Sequence, residues 1–281
     1  MGTLTAPAIR ARKVRDGADP LVMVTAYDAP GARVASQAGA DLILVGDSLA
    51  MVVLGYDDTL QVTVGDMAHH TAAVARAKPA AHIVADLPWM SYHVSAEETV
   101  RNAAMLIRAG AQSVKLEGGR KRLPMIERIC DAEIPVMGHI GLTPQSVHAM
   151  GGFKVQGRHA EAARRLVQAA KSLAHAGCYS LVLEGVPVQV AEMVTDAVDI
   201  PTIGIGAGPH CDGQVLVFHD LLGLETRLVP KFVRRYADLD TLVTDALRRF
   251  ASDVRSGAFP SSQESYHLSE AELAALGIPE L

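Results

Sequence analysis

The chain has 281 residues, 49% of them hydrophobic and 20% charged, with a formal net charge of -5. This is the balance of a soluble globular protein, and it leaves no basic footprint for nucleic acid, so a small-molecule partner is expected. Cys130, Cys178 and Cys211 are odd in number and widely spaced without a C-x-x-C pair, which argues against a disulfide framework or zinc site and for a reduced, cytoplasmic chain. Met1 to Pro20 lacks the apolar stretch of a secretory leader, and no run is long enough to span a membrane.

In chain order, short apolar runs alternate with longer segments of helical period. The runs are Val22 to Ala26, Leu42 to Val45, Ile83 to Ala85, Val114 to Leu116, Val136 to Met137, Leu181 to Leu183, Thr202 to Ile205 and Val215 to Phe218. Helices are predicted over Pro30 to Gln37, Thr63 to Arg76, Ala96 to Ala109, Leu123 to Asp131, Ala160 to Ala176, Val188 to Val198 and about Leu239 to Arg255. Ser95-x-x-Glu98 has the form of a capping box, and Gly110 and Gly177 stop the helices before them. Eight strands separated by helices imply a closed parallel sheet, a single (β/α)8 barrel domain over residues 1–281. A short N-terminal segment (about 1–20) and a polar C-terminal tail (about 258–281) flank it.

Chemistry enters where each strand ends. In Ser113-Val-Lys-Leu-Glu-Gly-Gly119, Lys115 and Glu117 are two apart and share one face of a strand; if Val114 and Leu116 pack outward, both charges point inward. Buried charge is costly unless paired or metal-bound, so one such pair is equally well a structural ion pair. Asp47-Ser48, Asp86, His139 and Glu184 follow other apolar runs in the same way. Taken singly each is an ordinary cap or loop residue, but C-terminal strand ends of a barrel meet at one mouth, and five together mark a site. Three carboxylates, Asp47, Asp86 and Glu117, suit a hard cation such as Mg²⁺ that keeps positions open for substrate. A lone histidine, His139, is more often a hydrogen-bonding group than a ligand. Ile203-Gly-Ile-Gly-Ala-Gly208 fails the dinucleotide pattern at its last glycine, which leaves close backbone approach to a ligand as its possible use.

Seven ordered stretches carry a resemblance: VTAYD (Val24 to Asp28), LVGDSLAM (Leu44 to Met51), ADLP (Ala85 to Pro88), VKLEGG (Val114 to Gly119), GHIGLTPQSV (Gly138 to Val147), GGFKVQGR (Gly151 to Arg158) and IGIGAGPHCDGQVLV (Ile203 to Val217). Along nearly its whole length the chain resembles the ketopantoate hydroxymethyltransferase family. The resemblance implies a barrel of the phosphoenolpyruvate mutase/isocitrate lyase superfamily, one Mg²⁺ per subunit and 5,10-methylenetetrahydrofolate as co-substrate. It implies hydroxymethyl transfer to 3-methyl-2-oxobutanoate through a Mg-stabilised enolate, giving 2-dehydropantoate and tetrahydrofolate in pantothenate biosynthesis. Asp47, Asp86 and Glu117 would form the metal shell, some through water. The same residues Asp47 and Asp86, with Ser48, Lys115 and His139, would meet the 2-oxoacid, and Glu184 matches the proton acceptor. A homo-oligomer, a decamer, is implied as well. Gln61 and Gly185 depart from the family's pattern, Gly185 in the loop that carries Glu184. Two alternatives are a Mg-dependent 2-oxoacid lyase or aldolase and a noncatalytic oxoacid-binding barrel.

Overall fold

The structure is a computed structural model that describes residues 4–227, 229–277 and 279. Its strands are β1 (Leu21–Thr25), β2 (Leu42–Val45), β3 (His82–Asp86), β4 (Ser113–Glu117), β5 (Val136–Gly141), β6 (Ser180–Glu184), β7 (Thr202–Ile205) and β8 (Gly213–Leu216). Each is parallel to its neighbours, and β8 pairs with β1, so the sheet closes as expected. The helices are α1 (Ala6–Arg10), α2 (Ala29–Gln37), α3 (Leu49–Val52), α4 (Val64–Arg76), α5 (Ala96–Arg108), α6 (Leu123–Asp131), α7 (Val147–Met150), α8 (Ala160–His175), α9 (Val188–Ala197), α10 (Phe218–Leu222), α11 (Leu239–Ser256) and α12 (Glu270–Ala275).

Period-two alternation divides the apolar residues between two cores. Ile43, Val45, Ile83, Ala85, Val114 and Leu116 face outward against the helices, whereas Leu42, Leu44, Val84, Met137, Val182 and Ile203 fill the barrel. The interior core also takes Ala6 and Ile9 of α1, so the N-terminal segment stops the barrel from below. Two buried polar contacts hold that stopper. Lys13 Nζ lies 2.7 Å from Asp212 Oδ2 and donates to Thr195 O at 2.9 Å. His82 Nδ1 is 2.8 Å from Leu4 O, with its Nε2 2.9 Å from Ser113 Oγ. The mouth at the C-terminal strand ends remains open.

Several local expectations change. The last strand lies at Gly213–Leu216, two residues before the apolar run that marks it, because Cys211 and Asp212 are drawn against Thr202 of β7. Ser95 accepts from Glu98 N at 3.1 Å, but the reciprocal bond that completes a capping box is formed instead by Thr63 and Asp66 at the start of α4. The polar tail contains α12, which Ser269 caps by accepting from Glu272 N. The glycines of Ile203 to Gly208 serve the chain's own packing: a Cβ at Gly206 would meet the Phe232 ring at 2.6 Å, and one at Gly208 would meet Val188 at 2.6 Å. Gly206 and Gly208 also line the cavity at the mouth of the barrel.

Candidate active site

The seven residues expected to act together do converge: Asp47, Ser48, Asp86, Lys115, Glu117, His139 and Glu184 all line one cavity of ≈ 1250 Å³ at the open mouth. Lys115 and Glu117 point inward from β4 while Val114 and Leu116 pack outward, as their spacing requires. Asp86 ends β3 beside Lys115, and the register sets Glu117 next to His139 and Gly141 next to Glu184. His139 sits inside β5 rather than at its end, since β5 runs on to Gly141. Ser48, one residue beyond Asp47, shares a 2.8 Å hydrogen bond with the Tyr27 hydroxyl.

The charged groups form one connected set. Lys115 Nζ lies 2.8 Å from Asp86 Oδ1 and 3.4 Å from His139 Nδ1. His139 bridges two acids, with Nδ1 3.4 Å from Glu117 Oε1 and Nε2 3.3 Å from Glu184 Oε2. Burial and the Lys115 ammonium both depress the imidazole, but Glu117 and Glu184 outweigh them and raise its pKa to about 9. Both acids thus favour the protonated over the neutral imidazole. Burial opposes charge on Lys115 as well, and Asp86, Glu117 and Asp47 overcome it, holding the ammonium above its ordinary range. Glu117 is disfavoured by burial yet lowered overall by His139, Lys115 and the Gln145 backbone N–H. Asp47 is pushed well above the carboxylate range by burial, then by Asp86 and Glu117. Asp86 is also raised, by burial, in spite of Lys115.

Such a set fits a divalent cation. Two buried acids held up by desolvation and mutual repulsion are relieved by positive charge placed between them, and Asp86 Oδ1 is buried without an aligned hydrogen bond even though Lys115 is near. Among the described residues no three His, Cys, Asp or Glu side chains come close enough to form a metal-holding group by themselves. Glu117 and Asp86 are both engaged within the chain: His139 lies 3.4 Å from one Glu117 oxygen and Gln145 N donates to the other at 3.1 Å, while Asp86 Oδ2 accepts from Asp47 N at 3.0 Å.

Two members of the site were not singled out from the sequence. Gln145 donates through Nε2 to Asp47 Oδ2 at 2.9 Å and Leu87 O at 3.0 Å. Tyr92 donates its hydroxyl hydrogen to Gln145 Oε1 at 2.5 Å and accepts from Glu117 N at 3.3 Å. Gly185, next to Glu184, leaves no loose loop, because its N–H donates to Ile205 O at 2.9 Å and its carbonyl accepts from Gln156 N at 2.8 Å.

A sequence profile described as ketopantoate hydroxymethyltransferase matches residues 3–262. A protein from Koribacter versatilis named 3-methyl-2-oxobutanoate hydroxymethyltransferase is 55% identical over 259 residues, 92% of this chain and 88% of its own. The chain belongs to the ketopantoate hydroxymethyltransferase family. It is thus an enzyme of the hydroxymethyltransferase class. Among solved structures, 2,3-dimethylmalate lyase, a member of the PEP mutase/isocitrate lyase superfamily, superposes with a TM-score of 0.59 at 17% identity, covering 99% of this chain and 95% of its own. Phosphonopyruvate hydrolase in complex with oxalate and Mg²⁺ gives 0.60 at 13% identity, covering 97% and 94%. At these identities the two structures show a shared barrel fold. No helix among the described residues is long and apolar enough to cross a membrane.

Proposed function

We propose that this enzyme transfers a hydroxymethyl group from 5,10-methylenetetrahydrofolate to 3-methyl-2-oxobutanoate, giving 2-dehydropantoate and tetrahydrofolate for pantothenate synthesis. The observation that carries the reading is the single cavity lined by three buried acids, Lys115, His139 and Glu184 in a chain of this family. Asp47 and Asp86 would hold Mg²⁺ directly and Glu117 through water. When bound, the ion draws electron density from the carboxylate and keto oxygens of the oxoacid and makes its C3 proton easier to remove.

The chain's own residues do the rest. Lys115, buried and charged, offsets the negative charge that grows on the oxoacid as C3 is deprotonated. Ser48, oriented by Tyr27, contacts the substrate beside Asp47. Glu184 takes the C3 proton: its side chain is 16% exposed against 2–5% for Asp47, Asp86 and Glu117, so it borders the open cavity. His139, with Nε2 3.3 Å from Glu184 Oε2, would help to orient that carboxylate toward the cavity. One of the two carbon–nitrogen bonds of the donor's methylene opens to an iminium that the enolate carbon attacks, the second breaks as the hydroxyl of one water takes its place, and the C3 proton and the remaining water proton balance the two folate nitrogens.

The folate would occupy the outer part of the same cavity. Phe153, Val155 and Phe232 offer apolar surface there, and Lys154, Arg158 and Lys231 offer positive charge for its glutamate carboxylates. A homo-oligomer, a decamer by family resemblance, is supported by α11, which buries none of its residues and presents Leu242, Leu247, Phe250 and Val254 to solvent. Three free thiols suit a cytoplasmic location. Purified protein with 3-methyl-2-oxobutanoate, methylenetetrahydrofolate and Mg²⁺ should form 2-dehydropantoate, detected by mass spectrometry. Turnover of the oxoacid without folate would point instead to a lyase or aldolase, and binding without turnover to a noncatalytic barrel.

A further inference from the structure

We propose that Gln145 is a positioning residue that sets the metal shell, with Tyr92 fixing the direction of its amide; this rests on the reading of Asp47 and Asp86 as metal ligands. Gln145 is the middle residue of the short turn Pro144–Ser146 after β5 and is 4% exposed. From there it reaches three other strand ends. Its backbone N–H donates to Glu117 beside β4, and its side chain donates to Asp47 after β2 and to the carbonyl of Leu87 after β3. No other described residue bonds both Asp47 and Glu117 through its own donors.

The amide can face only one way. Both Nε2 hydrogens point at acceptors, the Asp47 carboxylate and the Leu87 carbonyl, whereas Oε1 receives the Tyr92 hydroxyl at 2.5 Å. Turned over, Oε1 would confront two acceptors and the NH₂ group would displace the hydroxyl proton. Tyr92 is itself held, because it accepts from Glu117 N and stacks under the Arg122 guanidinium, 5.4 Å from the ring centroid. Gln145 thus occupies Asp47 Oδ2 and leaves Oδ1, which takes no bond from any described residue, to the cavity. Its backbone N–H also fixes one oxygen of Glu117, at 3.1 Å. A neutral donor achieves this without adding charge to a site already crowded with acids, and partners of this kind commonly govern metal affinity by 10–100-fold.

The test is calorimetric titration of the metal-free full-length protein with Mn²⁺, without substrate, alongside its thermal midpoint and kinetic constants. Gln145→Met keeps length and bulk but removes both donors; it should weaken Mn²⁺ binding by about 10–100-fold and lower kcat. Tyr92→Phe deletes one hydroxyl and is the milder probe should the first variant fold poorly; it should weaken Mn²⁺ binding in the same direction by less. Because Tyr92 acts through the amide, the double variant should lose little more than Gln145→Met alone. A residue that only props up the fold would lower the thermal midpoint and leave Mn²⁺ affinity unchanged. Wild-type Mn²⁺ affinity in both variants would overturn the role of Gln145, and fully additive losses would overturn the action of Tyr92 through its amide. Failure of the wild-type protein to bind Mn²⁺ would overturn the metal reading itself.

Discussion

Lys115 and Asp86 show how the site was written in the sequence one residue at a time. Period two in Ser113 to Glu117 set both charges of β4 inward, and the structure supplies their partners: Asp86 at 2.8 Å from Lys115, and His139 at 3.4 Å from Glu117. What stayed illegible was Gln145, an uncharged side chain in a turn whose value comes wholly from the three strand ends it meets. Tyr92 was invisible for the same reason. Charge-removing, shape-preserving changes test the acids directly. Asp86→Asn and Glu117→Gln should each raise the Mg²⁺ concentration needed for half-maximal activity and depress turnover, Asp86→Asn more severely if Glu117 meets the ion through water as proposed. Titration of activity against Mg²⁺ checks this; an unchanged metal requirement in both variants would mean that the ion is held elsewhere.

Strands and helices were mostly legible as elements, because apolar runs bounded by glycine and helical period carry their own signal. The start of β8 was not, since Asp212 rather than hydrophobicity anchors it: that side chain accepts from Thr202 N at 2.9 Å and from Lys13 at 2.7 Å. The stopper formed by α1 was also unread, because its five residues are too few to show a period. Lys13→Met should leave a buried, partly satisfied carboxylate and lower unfolding stability by about 3 kcal/mol in urea titration. A loss below about 1 kcal/mol would show that the bonds from Val14 and Thr202 suffice for Asp212. The second tie of the stopper is sensitive to acid. Burial lowers the pKa of His82 below 6.5 despite the bond to Leu4 O. The unfolded chain therefore takes up the proton first as pH falls, so stability present above about pH 6.5 is lost as pH drops toward the folded value. His82→Gln should flatten that slope in pH-dependent thermal unfolding. Some slope should persist, because burial also lowers His93, to about 4, and His219. An unaltered slope would remove His82 from the account of acid sensitivity.

At the scale of the whole molecule, the barrel explains why residues from β2 to β6, spread from Asp47 to Glu184, share one cavity, and the sequence made that closure legible through its eight alternating runs. It could not show that α11 stands off the barrel with Leu242 61% and Leu247 62% exposed, because an amphipathic helix reads alike whichever surface receives it. If that face joins copies of the chain, Leu242→Asp with Leu247→Asp should reduce the mass seen by light scattering; an unchanged mass would place the contact elsewhere.

The assembled mouth is read above all as a device for removing the C3 proton of an oxoacid, and that step can be watched alone. With Mg²⁺ present and folate absent, the C3 hydrogen of 3-methyl-2-oxobutanoate should exchange into deuterated water, followed by proton NMR. General-base catalysis contributes roughly 10²–10⁴-fold, so Glu184→Gln should slow exchange and turnover together by about that factor while oxoacid affinity changes far less. Exchange at the wild-type rate in Glu184→Gln would contradict the assignment of the base and move Glu184 to the folate half of the reaction.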